Sequence, residues 1–264
     1  MEHLLETVLL GITQGVTEWL PISSTGHLRL LTYFLSLKIP ILYDVALHAG
    51  TLLVVLFFFR KDVWQILLEI FRLNFKSENG RLALLIAVGT VPTALIGLFF
   101  GDFIEFTFSN PLPIALALST CGVLLYSAKF SKEKTDNITF KAALVLGTAQ
   151  GIAIIPGFSR SGATLAVALL WGLRREKAFK FSFLLSVPAV VGALALTLVK
   201  EQAELVASGF GVAEILVGVA VAMLVGFLSL KLLQKVVKSA RFHLFAFYCW
   251  LLGAVLVLLV LAGF

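Results

Sequence analysis

Gly11-Ile-Thr-Gln14-Gly15, followed by Ser23-Ser24-Thr25-Gly26, returns as Gly147-Thr-Ala-Gln150-Gly151, followed by Ser159-Arg160-Ser161-Gly162. The spacing is 136 positions for every identical pair, with Thr25 and Ser161 a near match. Each copy is polar and carries Pro and Gly, while the sequence around it is greasy. Duplicated, broken apolar segments are the strongest sequence pointer to a substrate site between two repeats of a membrane protein.

Working outward, 59% of the 264 residues are apolar, 14% are charged and the mean hydropathy is +1.01, which excludes an ordinary soluble domain. Apolar runs recur along the chain, as in a polytopic helical membrane protein. With about 20 residues needed to cross the hydrocarbon, six spans are predicted at 41–59, 82–100, 111–128, 180–199, 214–230 and 242–262. No charged n-region with a cleavage site precedes the first apolar stretch, so that stretch is expected in the mature protein. Cys121 and Cys249 fall inside spans as small buried hydrophobes, and no disulfide framework or zinc site is expected.

The net charge is +6, and 17 of the 21 Lys and Arg fall in four connections. Arg60, Lys61, Arg72, Lys76 and Arg81 form the first, and Lys129, Lys132, Lys134 and Lys141 the second. Arg174, Arg175, Lys177 and Lys180 form the third, and Lys231, Lys235, Lys238 and Arg241 the fourth. The other connections carry Glu2, Glu6, Lys38, Asp102, Glu105, Lys200, Glu201 and Glu204, and are mainly acidic. This asymmetry is the positive-inside pattern, so the basic loops are expected in the cytoplasm. It is not a nucleic-acid footprint, and no nucleic-acid partner is expected. Residues 60–81 read as an amphipathic helix lying on the cytoplasmic interface.

Threading the spans with basic loops inside closes only if segments 6–35 and 141–173 each enter and leave on one side. Each arm is too short to cross alone. Pro21 and Pro156-Gly157 interrupt them, and proline ends a helix by losing its amide and restricting the residue before it. The expected fold is therefore all-α: six transmembrane helices plus two re-entrant helical hairpins in an inverted-topology repeat. One membrane domain spans 1–264. The first repeat is 1–132, with hairpin 6–35, and the second 133–264, with hairpin 141–173. The hairpins open to opposite sides and their tips meet near mid-membrane, in a wet cavity. Both termini and the site at the first hairpin are expected on the extracytoplasmic face.

Between Thr7 and Leu28 the only ionisable side chains are Glu18 and His27, and between Ala142 and Gly172 the only one is Arg160. Charge in hydrocarbon costs at least ~2.5 kcal/mol, so these three are functional candidates. After each turn, Ser23 or Ser24 in one copy and Ser159 in the other can cap the returning helix. The free amides of a capped helix start form an anion site. Gly26 and Gly162 permit close approach, and Thr25, Ser161 and Thr164 add hydroxyls. Arg160 suits bidentate phosphate binding. Ser161 and Thr164 have an equally good reading as helix-packing hydroxyls, and the repeated glycines a better one as packing residues. Gln14 and Gln150 are supporting residues that tie the hairpins down. Arg29 and Asp44 read as ordinary charges near the outer interface. His48, beside Gly50-Thr51, is ambiguous and is left outside the site.

Gln14-Gly-Val-Thr-Glu18 with Pro21-Ile-Ser-Ser-Thr-Gly-His27, and Pro156-Gly-Phe-Ser-Arg-Ser-Gly-Ala-Thr164, resemble the two signatures of the bacterial undecaprenyl-diphosphate phosphatase family of the bacitracin-resistance type. The resemblance in length and span pattern covers essentially the whole chain. It departs at Gln14, where many relatives carry a second glutamate, which leaves Glu18 with more of any metal-holding role. The resemblance implies hydrolysis of a polyprenyl diphosphate to the monophosphate carrier and inorganic phosphate. That reaction recycles the carrier for cell-wall synthesis and confers bacitracin resistance. It also implies a bacterial inner-membrane location, a divalent cation, Mg2+ or Ca2+, and leaves a homodimer open.

On this reading Glu18, Ser24, His27 and Arg160 are catalytic, and Ser23, Thr25, Gly26, Ser159, Ser161, Gly162 and Thr164 bind phosphate. Ser24 is the nucleophile or a close phosphate contact. His27 is its base or the phosphoryl acceptor, and Glu18 orients His27, holds the cation, or both. The alternative is a lipid-phosphate transporter or flippase using the same inverted-repeat site.

Overall fold

In the computed structural model, residues 4–35, 41–108, 110–200 and 211–262 are described. Of the outer-loop charges, Glu2, Lys38, Glu201, Glu204 and the Glu105 side chain lie outside it. The first hairpin is α1 (Leu4–Trp19) and α2 (Ser24–Leu35). It is followed by α3 (Ile41–Phe58), the short α4 (Arg60–Phe71), α5 (Glu78–Thr107) and α6 (Pro111–Ser127). The second hairpin is α7 (Phe140–Ile152) and α8 (Arg160–Leu170), followed by α9 (Arg175–Lys200), α10 (Val212–Lys238) and α11 (Phe245–Leu261). The protein is an all-α integral membrane protein. Among the described residues, six helices are long and apolar enough to cross: α3, α5, α6, α9, α10 and α11. Exposed Leu98, Phe99, Leu224, Leu228, Leu251 and Leu258 face outward from them, as lipid-facing side chains do.

Local chemistry sets the ends of the elements. Ser77 caps α5, accepting from the Gly80 amide at 3.0 Å, and Thr139 caps α7, accepting from Ala142 at 3.1 Å. Pro111 occupies the first turn of α6, where its missing amide costs nothing. The cap at Ser77 starts α5 well before the predicted span 82–100, and α9 and α10 likewise overrun their predicted spans. Helix α4, where an interfacial helix was expected, is shorter than the predicted 60–81. It ends at Phe71 rather than residue 81, because Leu73 takes a left-handed φ of 51° and the chain turns into the Ser77 cap. Its Trp64 and Phe71 are exposed.

The hairpins interleave with the opposite half of the chain. α1 packs along α10, whereas α7 packs along α5. Small residues permit these approaches. A Cβ on Gly15 would lie 2.8 Å from the Ala222 carbonyl oxygen, and one on Gly147 would collide with the Gly89 carbonyl. α6 pairs with α11. The largest apolar cluster, with Trp19, Leu125, Leu165, Phe181, Phe183 and Leu185, packs beneath the tips.

All four basic connections lie at one end. Lys177 pairs with Glu78 at 2.9 Å, Lys238 with Glu176 at 2.8 Å, and Lys180 with Asp62. Thr135 bridges Leu173, and Arg174 pairs with Asp136 at 3.1 Å. At the other end Lys200 pairs with Asp102 at 2.9 Å, and Arg29 donates to the Phe108 carbonyl at 2.7 Å.

Candidate active site

The two hairpin tips touch. Ser23 caps α2, its Oγ accepting from the Gly26 amide at 3.2 Å, and Ser159 caps α8, accepting from Gly162 at 3.1 Å. Ser23 Oγ also accepts from the Gly157 amide of the other tip at 3.1 Å. The glycine contacts are reciprocal: a Cβ on Gly26 would meet Gly157 Cα at 3.4 Å, and one on Gly162 would meet Pro21 Cβ at 3.0 Å. Pro21 and Gly157 stand at the same 136-residue spacing, as do Gly26 and Gly162. A thiol pair braces the junction from α6 and α11. The Ser159 amide donates to Cys121 Sγ at 3.5 Å, and Cys249 Sγ donates to the Pro21 carbonyl at 3.6 Å.

Across this junction lies a buried carboxylate. Glu18 is 7% exposed; one oxygen pairs with the Arg160 guanidinium from the other tip. Its Oε2 accepts from Ser24 Oγ at 2.7 Å and from Gln14 Nε2 at 3.1 Å. Arg160 also lies over the Trp19 ring, 5.9 Å from the centroid. A buried ion pair survives desolvation only when further hydrogen bonds complete it, and Ser24 and Gln14 supply them.

The structure brings Gln14, Glu18, Ser24 and Arg160 together, with Ser23 and Ser159 beneath. His27 is placed elsewhere. Its Nδ1 lies 2.7 Å from the Ser23 carbonyl and its Nε2 2.7 Å from the Tyr248 hydroxyl, so Ser24 is bonded to Glu18 and not to the imidazole. The expected Ser24–His27 pairing by helical spacing gives way because the Ser23 carbonyl and α11 offer the ring better partners. Thr25 is exposed. Ser161 Oγ shares a 3.2 Å bond with Ser159 Oγ, and Thr164 Oγ1 donates to the Arg160 carbonyl at 2.9 Å. Gln150 is buried away from the cluster, donating to Thr93 at 3.2 Å and the Leu185 carbonyl at 3.4 Å. The expected wet cavity is here a narrow crevice, lined by Trp19, Arg160, Ser161, Thr164, Ser182 and Ser186 among others.

Sequence reasoning left out three neighbours. His48 Nε2 stands 3.8 Å from Glu18 Oε2, while its Nδ1 is 3.0 Å from the Asp44 carbonyl. An intramembrane histidine one helical turn after an aspartate was the available signal. Tyr248 had none: it lies 221 positions from His27. Thr51, also unassigned, receives a 3.5 Å bond from Gln14. No group of three or more His, Cys, Asp or Glu side chains is arranged to hold a metal ion among the described residues.

A carboxylate–guanidinium pair ringed by hydroxyls and capped helix starts, enclosed by membrane spans, defines a polytopic membrane protein with a charged cluster buried among its helices. Comparison with known proteins narrows that class. The chain belongs to the bacitracin-resistance family, matching the family model described as "Bacitracin resistance protein BacA" over residues 7–255. It is 41% identical to a protein of Carboxydothermus hydrogenoformans named undecaprenyl-diphosphatase, over 98% of either chain. It is 39% identical to a protein of the same name from Korarchaeum cryptofilum, over 94% of this chain and 96% of that one. A further relative so named, from Methanosphaera stadtmanae, is 40% identical over 98% and 99% of the two chains.

Proposed function

We infer that this chain hydrolyses undecaprenyl diphosphate to undecaprenyl phosphate and inorganic phosphate. The reaction returns the lipid carrier to cell-wall synthesis and gives bacitracin resistance. The observation that carries this reading is the bond between Ser24 and Glu18, with Arg160 on the same carboxylate. A hydroxyl aimed at a base is what phosphoryl transfer needs, and transport has no use for it.

Transfer from a diphosphate passes through a loose transition state, so placement and charge stabilisation dominate. Arg160 offers the terminal phosphate the donors of its five that Glu18 leaves free. The tip hydroxyls and amides bind beside it. Ser24 Oγ attacks the terminal phosphorus as the bond to the lipid monophosphate breaks, and the Ser24 proton passes to Glu18, 2.7 Å away. Water then attacks the phosphoseryl group, with His27 taking its proton. Glu18 returns a proton to the Ser24 oxygen, and inorganic phosphate leaves. The prenyl tail stays in the bilayer along the apolar outer faces.

A divalent cation, Mg2+ or Ca2+, belongs to the proposal. Hard cations take oxygen ligands, and Glu18 together with Gln14 Oε1, buried without a hydrogen-bond partner, is such a donor set. When bound, the cation would neutralise charge on the diphosphate. The two halves are related as inverted repeats, 1–132 and 133–264, with hairpins that re-enter from opposite faces. The basic end faces the cytoplasm of a bacterial inner membrane, and the termini and the active site face outward.

The test is phosphate release from a C15 or C55 prenyl diphosphate by purified protein in detergent, beside Ser24→Ala and Arg160→Ala. Wild-type turnover that falls about 100-fold or more in either variant is the expected result. Folded wild-type protein that binds the diphosphate and releases nothing would sink the reading and favour lipid transport.

A further inference from the structure

His27 is held at both ring nitrogens. Nδ1 lies 2.7 Å from the Ser23 carbonyl oxygen, which also accepts the His27 backbone amide at 3.2 Å. A carbonyl can only accept, so Nδ1 carries a proton, and in the neutral ring Nε2 is then an unprotonated lone pair. The partner of that lone pair is the Tyr248 hydroxyl at 2.7 Å, which therefore donates to it. The two rings also stack, with centroids 5.7 Å apart and 16° between their planes.

Two observations separate this pair from packing. In the second tip, Ala163 stands at the 136-residue spacing from His27 and is buried, at 1% exposure. That tip forms the same hydroxyl cap without an imidazole or its phenol, so a closed hairpin does not require the pair. The backbone is also shaped toward the ring: Ser23 holds a left-handed φ of 70°, a conformation costing a non-glycine residue about 1–2 kcal/mol. The carbonyl of that residue is the one that fixes Nδ1.

We propose that Tyr248 is a positioning residue for His27. From the last helix its hydroxyl holds Nε2 of the tautomer that the Ser23 carbonyl fixes, and so sets the plane and direction of the ring before substrate arrives. This rests on the reading of the chain as a prenyl-diphosphate phosphatase in which His27 accepts the proton of the hydrolytic water. The Ser23 carbonyl settles which nitrogen carries the proton, and Tyr248 settles where the other one points.

The test compares wild type with Tyr248→Phe, which keeps the stacked ring and removes only the hydroxyl. Histidine ring 15N spectra of the purified full chain are recorded, with His27→Gln assigning the signals among the four histidines. Phosphate release from a C15 diphosphate is measured on the same samples. The expected result is the Nδ1–H tautomer in both proteins, with the Nε2 resonance carrying the shift of a hydrogen-bonded lone pair in wild type and moving to the position of an unbonded one in Tyr248→Phe. That change should accompany a kcat lower by about tenfold, at a KM within about twofold. An unchanged Nε2 resonance overturns the proposal, as does an unchanged kcat. A raised KM at constant kcat also overturns it, by making Tyr248 a substrate contact. Wild-type protein without turnover would remove the reaction, while the spectra would still decide whether Tyr248 sets the ring.

Discussion

At the first tip, Pro21 opens the turn and Ser23 completes it at a φ of 70°. At the second, Gly157 takes the left-handed position at 93° and Ser159 stays extended at −82°. Both serines nevertheless cap the helix that follows, and both glycines after them press against the opposite tip. The functional side chains are not shared in this way. At the same spacing, Glu18 faces Ile154, Ser24 faces Arg160 and His27 faces Ala163. The echo in sequence therefore keeps the Ser-capped turn twice, and each copy carries different polar side chains. Neither tip holds both the carboxylate with its hydroxyl and the guanidinium.

The sharpest way to break that division of labour is to remove the guanidinium. Arg160→Ala leaves Glu18 as an uncompensated buried charge and should lower kcat/KM by about 1,000-fold. Arg160→Lys should recover only a minor part, because the planar fork is lost. Recovery close to wild type would mean that Arg160 acts as a point charge. The next effect is on stability. Gly157→Ala must adopt the left-handed φ and bring its Cβ 2.5 Å from the Ile114 carbonyl, costing about 3 kcal/mol by strain and crowding together. Gly26→Ala should cost much less, since its nearest neighbour across the tips is 3.4 Å away. Thermal unfolding in detergent ranks the two, and equal losses would contradict the asymmetry of the turns.

A smaller difference separates the caps. Ser23→Ala loses two accepted amides, one from each tip, and should cost about 2 kcal/mol. Ser159→Ala loses one amide and should cost about 1 kcal/mol. If Ser159→Ala proved the more costly, Ser23 would not be the link between tips. Smallest of all, Thr164→Val removes a hydroxyl bonded to its own helix and should leave turnover within about threefold. A loss near 100-fold would make Thr164 a phosphate ligand.

The span pattern, the two helical hairpins and the choice of Glu18, Ser24 and Arg160 as candidates were legible, because apolar length and rare intramembrane charge are local signals; that Ser24 bonds Glu18 was not. The end of α4 was not, since Leu73 turns the chain in a conformation that its side chain does not advertise. The direction of His27 was not legible either. Helical spacing places it on the Ser24 face, yet a carbonyl turned by Ser23 and a phenol on α11 decide where the ring goes. His48 reached Glu18 only through the packing of α3 against α1. What escaped was the set of contacts between elements far apart in the chain.

The interleaving of the hairpins sets an order of assembly. α1 rests on α10, which begins roughly 200 residues later. At about 5–20 residues per second, a ribosome needs on the order of 10–40 s to supply it. Throughout that interval the nascent first hairpin sits in or beside the bilayer with Glu18 made and Arg160 either unmade or not yet docked. The early chain must shelter a lone carboxylate until the late chain emerges, so the arrangement that completes the site also makes the half-built protein its most vulnerable form.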